Sequence, residues 1–159
     1  NNSKIKISMI TLENRRNLYQ RVMLDHYKKP RHRGRTNPVD REQLGRTPYC
    51  GDTIKLTVQL NDSGDKIEDI KFEGEGCLIS MASADLMADA LRGQSIDEAL
   101  EIVNRFLSMM QGQADFPENP KKLSKLNVMQ VVTHPLRLKC AKIAWYTLKA
   151  ALESPSALD

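Results

Sequence analysis

The chain has 159 residues, a formal net charge of +4 and 40% hydrophobic residues, which suits one globular domain with its own core and leaves too little for two. No apolar run approaches a membrane span, and residues 1–9 lack the apolar stretch of a secretory signal, so a reducing cytoplasmic setting is the expectation. The basic run Lys28-Lys29-Pro30-Arg31-His32-Arg33-Gly34-Arg35 reads as a solvated loop; it has no interleaved aromatic residue, so a base-stacking surface for nucleic acid is not expected.

Residues 1–8 are expected to be a disordered extension or a cloning remnant, with a single domain over 9–153. Leu12, Tyr19, Val22, Met23 and Tyr27 recur at helical spacing and predict a helix from Thr11 to about Lys29, ended by Pro30. Ile54, Leu56, Val58 and Leu60 alternate strictly. The turn-rich Asn61-Asp62-Ser63-Gly64-Asp65 then leads into Ile67 to Phe72, which together predict an antiparallel hairpin.

Leu78 to Arg92 is rich in Ala, Met and Leu and stops at Gly93, as a buried helix with a glycine cap does. Ser95-Ile96-Asp97-Glu98 is a capping box for a helix to about Met110. Gly112 to Pro120 reads as a loop and Lys121 to Val131 as a short helix. Pro135 fits the first turn of a last helix, whose stripe Leu138, Ala141, Trp145, Leu148 and Leu152 reads as core. The order predicts an α+β fold, a small antiparallel sheet covered by helices.

Chemistry concentrates in Cys50, Asp52, Cys77 and Cys140, which include every cysteine of the chain. Three thiolates and a carboxylate suit tetrahedral Zn²⁺, although no Cys-x-x-Cys pair is present and each cysteine alone reads equally well as a small buried hydrophobe. Three cysteines cannot all pair, so a disulfide framework is not expected. Gly51 lets Cys50 and Asp52 turn toward one ion, and Cys77 after Gly74-Glu75-Gly76 stands at a helix start, where unpaired N–H groups favour a thiolate. Arg137, Lys139 and Lys142 surround Cys140 with positive charge. His26 and His32 read as structural or surface residues, and His134 as a helix cap.

Leu18-Tyr19, Asp25-His26-Tyr27-Lys28-Lys29-Pro30, Cys50-Gly51-Asp52, Gly74-Glu75-Gly76-Cys77, Ile79-Ser80-Met81-Ala82-Ser83 and Lys139-Cys140-Ala141 together resemble the U-type iron–sulfur assembly proteins. This is the IscU and NifU N-terminal family, and the resemblance, spanning roughly Leu12 to Leu152, is closest to its SufU branch. IscU proteins carry histidine where this chain has Lys139, and they lack the segment that here runs from about Gly112 to Val131. A Leu-Pro-Pro-Val-Lys motif is also absent near Cys140.

The resemblance implies a sulfurtransferase-like protein that accepts persulfide sulfur from a SufS-like, pyridoxal-phosphate cysteine desulfurase and serves a downstream cluster scaffold. By motif, Cys50, Asp52, Cys77 and Cys140 would hold Zn²⁺, Cys50 would accept the sulfur, and Arg137 would lie near the metal. A partner side chain taking the place of Cys50 on the metal would free that thiolate for attack. The rival implication is a scaffold for a [2Fe–2S] cluster, and the blandest a structural zinc module.

Overall fold

The computed structural model describes residues 2–48 and 51–153. Helix α1 (Asn2–Lys28) precedes strands β1 (Arg41–Arg46), β2 (Thr53–Leu60) and β3 (Ile67–Glu75). Helices α2 (Leu78–Leu91), α3 (Ile96–Met110) and α4 (Lys121–Ser124) follow, then a 3₁₀ segment (Lys125–Val131) and α5 (Pro135–Glu153). The strands form one antiparallel sheet in the order β1-β2-β3. The architecture is therefore α+β.

The alternation in β2 decides which face of the sheet is dry. Ile54, Leu56 and Val58 are fully buried, and Leu56 pairs with Phe72 of β3, itself fully buried. Helices α2 and α5 pack against the strands and against each other. Their contact is pinned by Ser83, whose hydroxyl donates to the Ala141 carbonyl at 2.6 Å and accepts from Trp145 Nε1 at 3.0 Å. Trp145 stacks on Phe106 of α3 with ring centroids 3.8 Å apart, so the α5 stripe is core as its periodicity predicts.

Strand β1 has no counterpart in the sequence expectation. Arg41-Glu42-Gln43-Leu44-Gly45-Arg46 is a polar edge strand with alternating half-buried and exposed residues, and pairing with β2 supplies the order that its composition does not advertise. Helix α1 starts at Asn2 rather than Thr11, so its backbone runs through residues 2–8, where an extension was expected. Adding turns to an existing helix costs far less than starting one. Leu12 and Tyr27 of the expected stripe are exposed, because α1 seats its C-terminal part, through Met23 and His26, against the domain. The expected helix over 121–131 divides into α4 and the 3₁₀ segment, with Leu126, Val128 and Met129 buried.

The basic run is a loop with its Lys and Arg side chains exposed, as its composition suggests, but its backbone is tied to the domain. Gly34 N–H donates to the Phe72 carbonyl at 2.8 Å and Phe72 N–H to the His32 carbonyl at 3.0 Å, so residues around Arg33 lie along β3. Buried Asp85 of α2 ties this segment down. Its carboxyl bonds His26 Nδ1 at 2.6 Å and accepts from the backbone N–H of Arg31 and of His32, both at 2.8 Å. One side chain thus joins α1, α2 and the loop between α1 and β1.

Replacing Asp85 with alanine strands His26 Nδ1 and the His32 N–H in the interior, and it should cost about 3 kcal/mol in urea unfolding. A loss below about 1 kcal/mol would remove Asp85 from this role. Glu42 offers a pH test. Hydrogen bonds from Arg35, then from Lys55, lower its pKa from 4.5 to about 2. Its contribution to stability is therefore complete above pH 4.5 and declines as pH falls toward 2, and Glu42→Gln should flatten the stability profile over that window.

Candidate metal centre

Asp52 stands just before β2, where the link from β1 turns back. Thr47 N–H donates to the Asp52 carbonyl at 3.1 Å and closes this loop. Gly51 adopts φ +67°, a left-handed conformation that side chains resist, so glycine is favoured before Asp52 for its backbone and not for its size. Cys77 is the N-cap of α2, with φ −72° and ψ 168°. Ser80, one turn on, donates its hydroxyl to the Cys77 carbonyl at 3.1 Å and lies 3.7 Å from Cys77 Sγ. Cys140 projects from the second turn of α5, with Sγ 3.6 Å from the Leu136 carbonyl.

These three residues, far apart in sequence, converge. A carboxylate oxygen of Asp52 and the sulfurs of Cys77 and Cys140 lie within 4.8 Å of one another. Asp52 and Cys140 are buried and Cys77 is half-buried. Gly76 makes the approach sterically possible. A Cβ on Gly76 would sit 2.4 Å from Ser80 Oγ and 3.0 Å from Asp52 Cγ, so a side chain there would displace the Ser80 hydroxyl and crowd the carboxyl group.

The electrostatics call for a cation. Asp52 Oδ2 is buried without a hydrogen-bond partner, a costly state for a carboxylate oxygen. The donors within reach are two sulfurs, and a borderline divalent ion would satisfy the oxygen and both sulfurs together. The residues present therefore fit a metal ion.

Cys50, the fourth expected ligand and expected sulfur acceptor, lies outside the described residues; it directly precedes Gly51 and Asp52. Arg137 is exposed one turn before Cys140. It lines an apolar recess of about 410 Å³ together with Met23, Leu24, Leu78, Ile79 and Val132, beside the helix start that carries Cys77. Lys139 is also exposed. Among the described residues no histidine joins the Asp52, Cys77 and Cys140 group. His26 is bonded to Asp85 and His32 to Asp89, while His134 Nδ1 accepts the Leu136 N–H at 3.2 Å, which is the cap role expected of it.

Gly76 gives the close approach expected of the glycines before Cys77, and Ser80 completes the centre without a sequence expectation of its own. The signal for Ser80 was its place three residues after Cys77, one helical turn away.

Residues 18–155 match the family model for the NifU-like N terminal domain. The chain belongs to this family. The iron–sulfur cluster assembly scaffold protein IscU of Streptococcus pyogenes serotype M1 is 45% identical over 139 residues, covering 86% of this chain and 83% of that protein. The zinc-dependent sulfurtransferase SufU of Bacillus subtilis strain 168 is 43% identical over 133 residues, covering 83% and 87% respectively. A crystal structure from Fervidobacterium islandicum AW-1, assigned provisionally as an iron–sulfur cluster assembly scaffold for the SUF system, superposes with a TM-score of 0.71. It is 34% identical and covers 83% of this chain and 94% of that one. The fold is thus that of IscU- and SufU-type proteins, and the family is one of iron–sulfur cluster assembly. No helix among the described residues is long and apolar enough to cross a membrane.

Gly76→Ala tests the geometry. It should leave the fold intact but speed loss of a bound divalent metal ion to a chelator by about tenfold, because the added methyl crowds Ser80 and Asp52 beside the sulfurs. An unchanged rate of loss would show that Asp52 needs no such approach.

Proposed function

We propose that the chain is a zinc-dependent sulfur acceptor, taking persulfide sulfur from a SufS-like cysteine desulfurase and passing it to a downstream cluster scaffold in the cytoplasm. The observation behind this reading is the convergence of Asp52, Cys77 and Cys140 around an unsatisfied carboxylate oxygen, two residues along the chain from the third cysteine. Cys50 joins these residues as the fourth ligand. Zn²⁺, when bound, holds the cysteines as thiolates and partly neutralises their charge.

The reaction assigned to this chain is thiol–persulfide exchange. Cys50 as a thiolate attacks the outer sulfur of the desulfurase persulfide. A new S–S bond forms at Cys50, the S–S bond of the donor breaks, and the donor cysteine leaves as a thiolate. Gly51 gives this loop the backbone freedom to present Cys50. Asp52, Cys77 and Cys140 stay behind as anchors. Arg137, exposed one turn before Cys140, is given the task of balancing the negative charge of the ligands and of the arriving persulfide.

Two features favour sulfur transfer over scaffolding. Lys139 stands before Cys140 where IscU-type proteins have histidine, and the segment from Gly112 to Val131 contributes Phe116, Leu126, Val128 and Met129 to the core. The second reading, a scaffold for a [2Fe–2S] cluster, is favoured by the similarity to the Streptococcus pyogenes IscU, and thiolates with one oxygen ligand suit such a cluster too.

A desulfurase assay with metal analysis separates the two. Tightly held zinc with stimulated sulfide release supports transfer, whereas a coloured cluster handed intact to an apo-protein supports scaffolding. Within the transfer reading, Cys50→Ala should abolish sulfur acceptance while the chain stays folded, and Asp52→Ala should chiefly weaken zinc retention. Normal acceptance by Cys50→Ala would reject the role of that thiol.

A further inference from the structure

Strand β1 is the edge of the sheet, and its outer rim lies over a groove. Among the described residues, β2 is its only strand partner. The Thr47 N–H bond to the Asp52 carbonyl marks residues 47 and 52 as a hydrogen-bonded pair, in line with the register Arg46↔Thr53. Alternation along an antiparallel ladder then turns the backbone groups of Arg41, Gln43 and Gly45 toward β2, and those of Glu42, Leu44 and Arg46 toward the open edge. The side chains divide the same way. A Cβ on Gly45 would strike Thr147 of α5, so that face looks onto the helix, while Leu44 is 49% exposed on the other.

The groove between this edge and α5 has a volume of about 520 Å³. Its floor is apolar, formed in part by Ile143 and by Tyr146, which is 53% exposed. Its charged lining residues are Arg46, Lys139 and Lys142, and among the described residues no carboxylate lines it. It also includes Thr47 and Pro48, which lead toward the loop before Asp52.

We infer that this groove receives an extended, acidic segment of a partner protein, which adds a fourth strand antiparallel or parallel to β1. The backbone groups of Glu42, Leu44 and Arg46 supply the ladder, and Tyr146 and Ile143 receive the inward side chains. Lys142 on the groove side and Arg46 on the outer face of β1 favour carboxylates in the added strand. A second copy of this chain fits less well. Pairing two β1 strands about Leu44 would set Arg46 against the partner copy's Glu42, but Glu42 is already held by Arg35 and Lys55, and the two sets of groove cations would meet. The inference stands independently of the sulfur-transfer reading, since it rests on the edge and its charge alone.

The test uses the full chain with zinc bound and, as probe, a synthetic peptide of about eight alternating Glu and Val residues, with a Lys and Val peptide as control. Titration followed by amide NMR should give saturable shifts at Glu42, Leu44 and Arg46 and along 139–150, with slowed hydrogen exchange at those three β1 amides. The charge-reversal pair Arg46→Glu and Lys142→Glu should weaken binding by about tenfold or more. Leu44→Pro removes only an outward N–H, a substitution an edge strand tolerates, and should also weaken binding. Equal binding of the Lys and Val peptide, shifts centred on residues 28–35, or β1 shifts that arise from self-association without peptide would each overturn the inference.

Discussion

The carboxylate of Asp52 is the constraint around which the centre is built. It is 3% exposed, one of its oxygens has no hydrogen-bond partner, and two sulfurs lie within 4.8 Å of its ligand atom. An interior that buries such a group without a compensating charge gives up stability, and a divalent cation returns it. The tight backbone on either side follows from this demand. Gly51 takes a conformation unfavourable to side chains, and Gly76 leaves space that a methyl group would close. Metal affinity and local fold are in this sense one quantity.

Helix α2 connects that centre to the rest of the molecule. Its N-cap is Cys77, its Ser83 ties it to α5 and so to the helix that bears Cys140, and its Asp85 fixes α1 and the basic segment. Cys77 on α2 and Cys140 on α5 are therefore held by a buried hydroxyl bridge rather than by loop geometry. Rigid placement of this kind suits the proposed exchange, in which Cys77 and Cys140 would stay in place. The Asp52 arm, by contrast, sits on the link between β1 and β2, beside an edge strand and a cationic groove. A partner bound there would touch the chain close to Asp52.

Much of this was legible in the sequence, for identifiable reasons. The alternation of Ile54 to Leu60, the capping box at Ser95 and the stripe ending in Leu152 are local signals, and local physics decided them. The set Asp52, Cys77 and Cys140 could be named because thiols and a carboxylate beside glycines suit a metal, although only the fold brings them together. Strand β1 escaped notice because Arg41 to Arg46 has no apolar rhythm and owes its order to pairing with β2. The Asp85 network escaped because its partners are His26 and two backbone amides, joined across more than fifty residues of chain that no local pattern links. Gly76 reads in sequence as a residue that permits a tight approach before Cys77, and what approaches it is the Asp52 carboxyl and the Ser80 hydroxyl, which only the fold brings there.

Zinc K-edge absorption spectroscopy on the purified, zinc-loaded chain tests the central claim most directly, because it counts donor types around the ion. The account predicts a shell of three sulfurs at about 2.3 Å and one oxygen at about 2.0 Å. A shell of nitrogen and oxygen donors alone, or a chain that retains no zinc while folded, would contradict it.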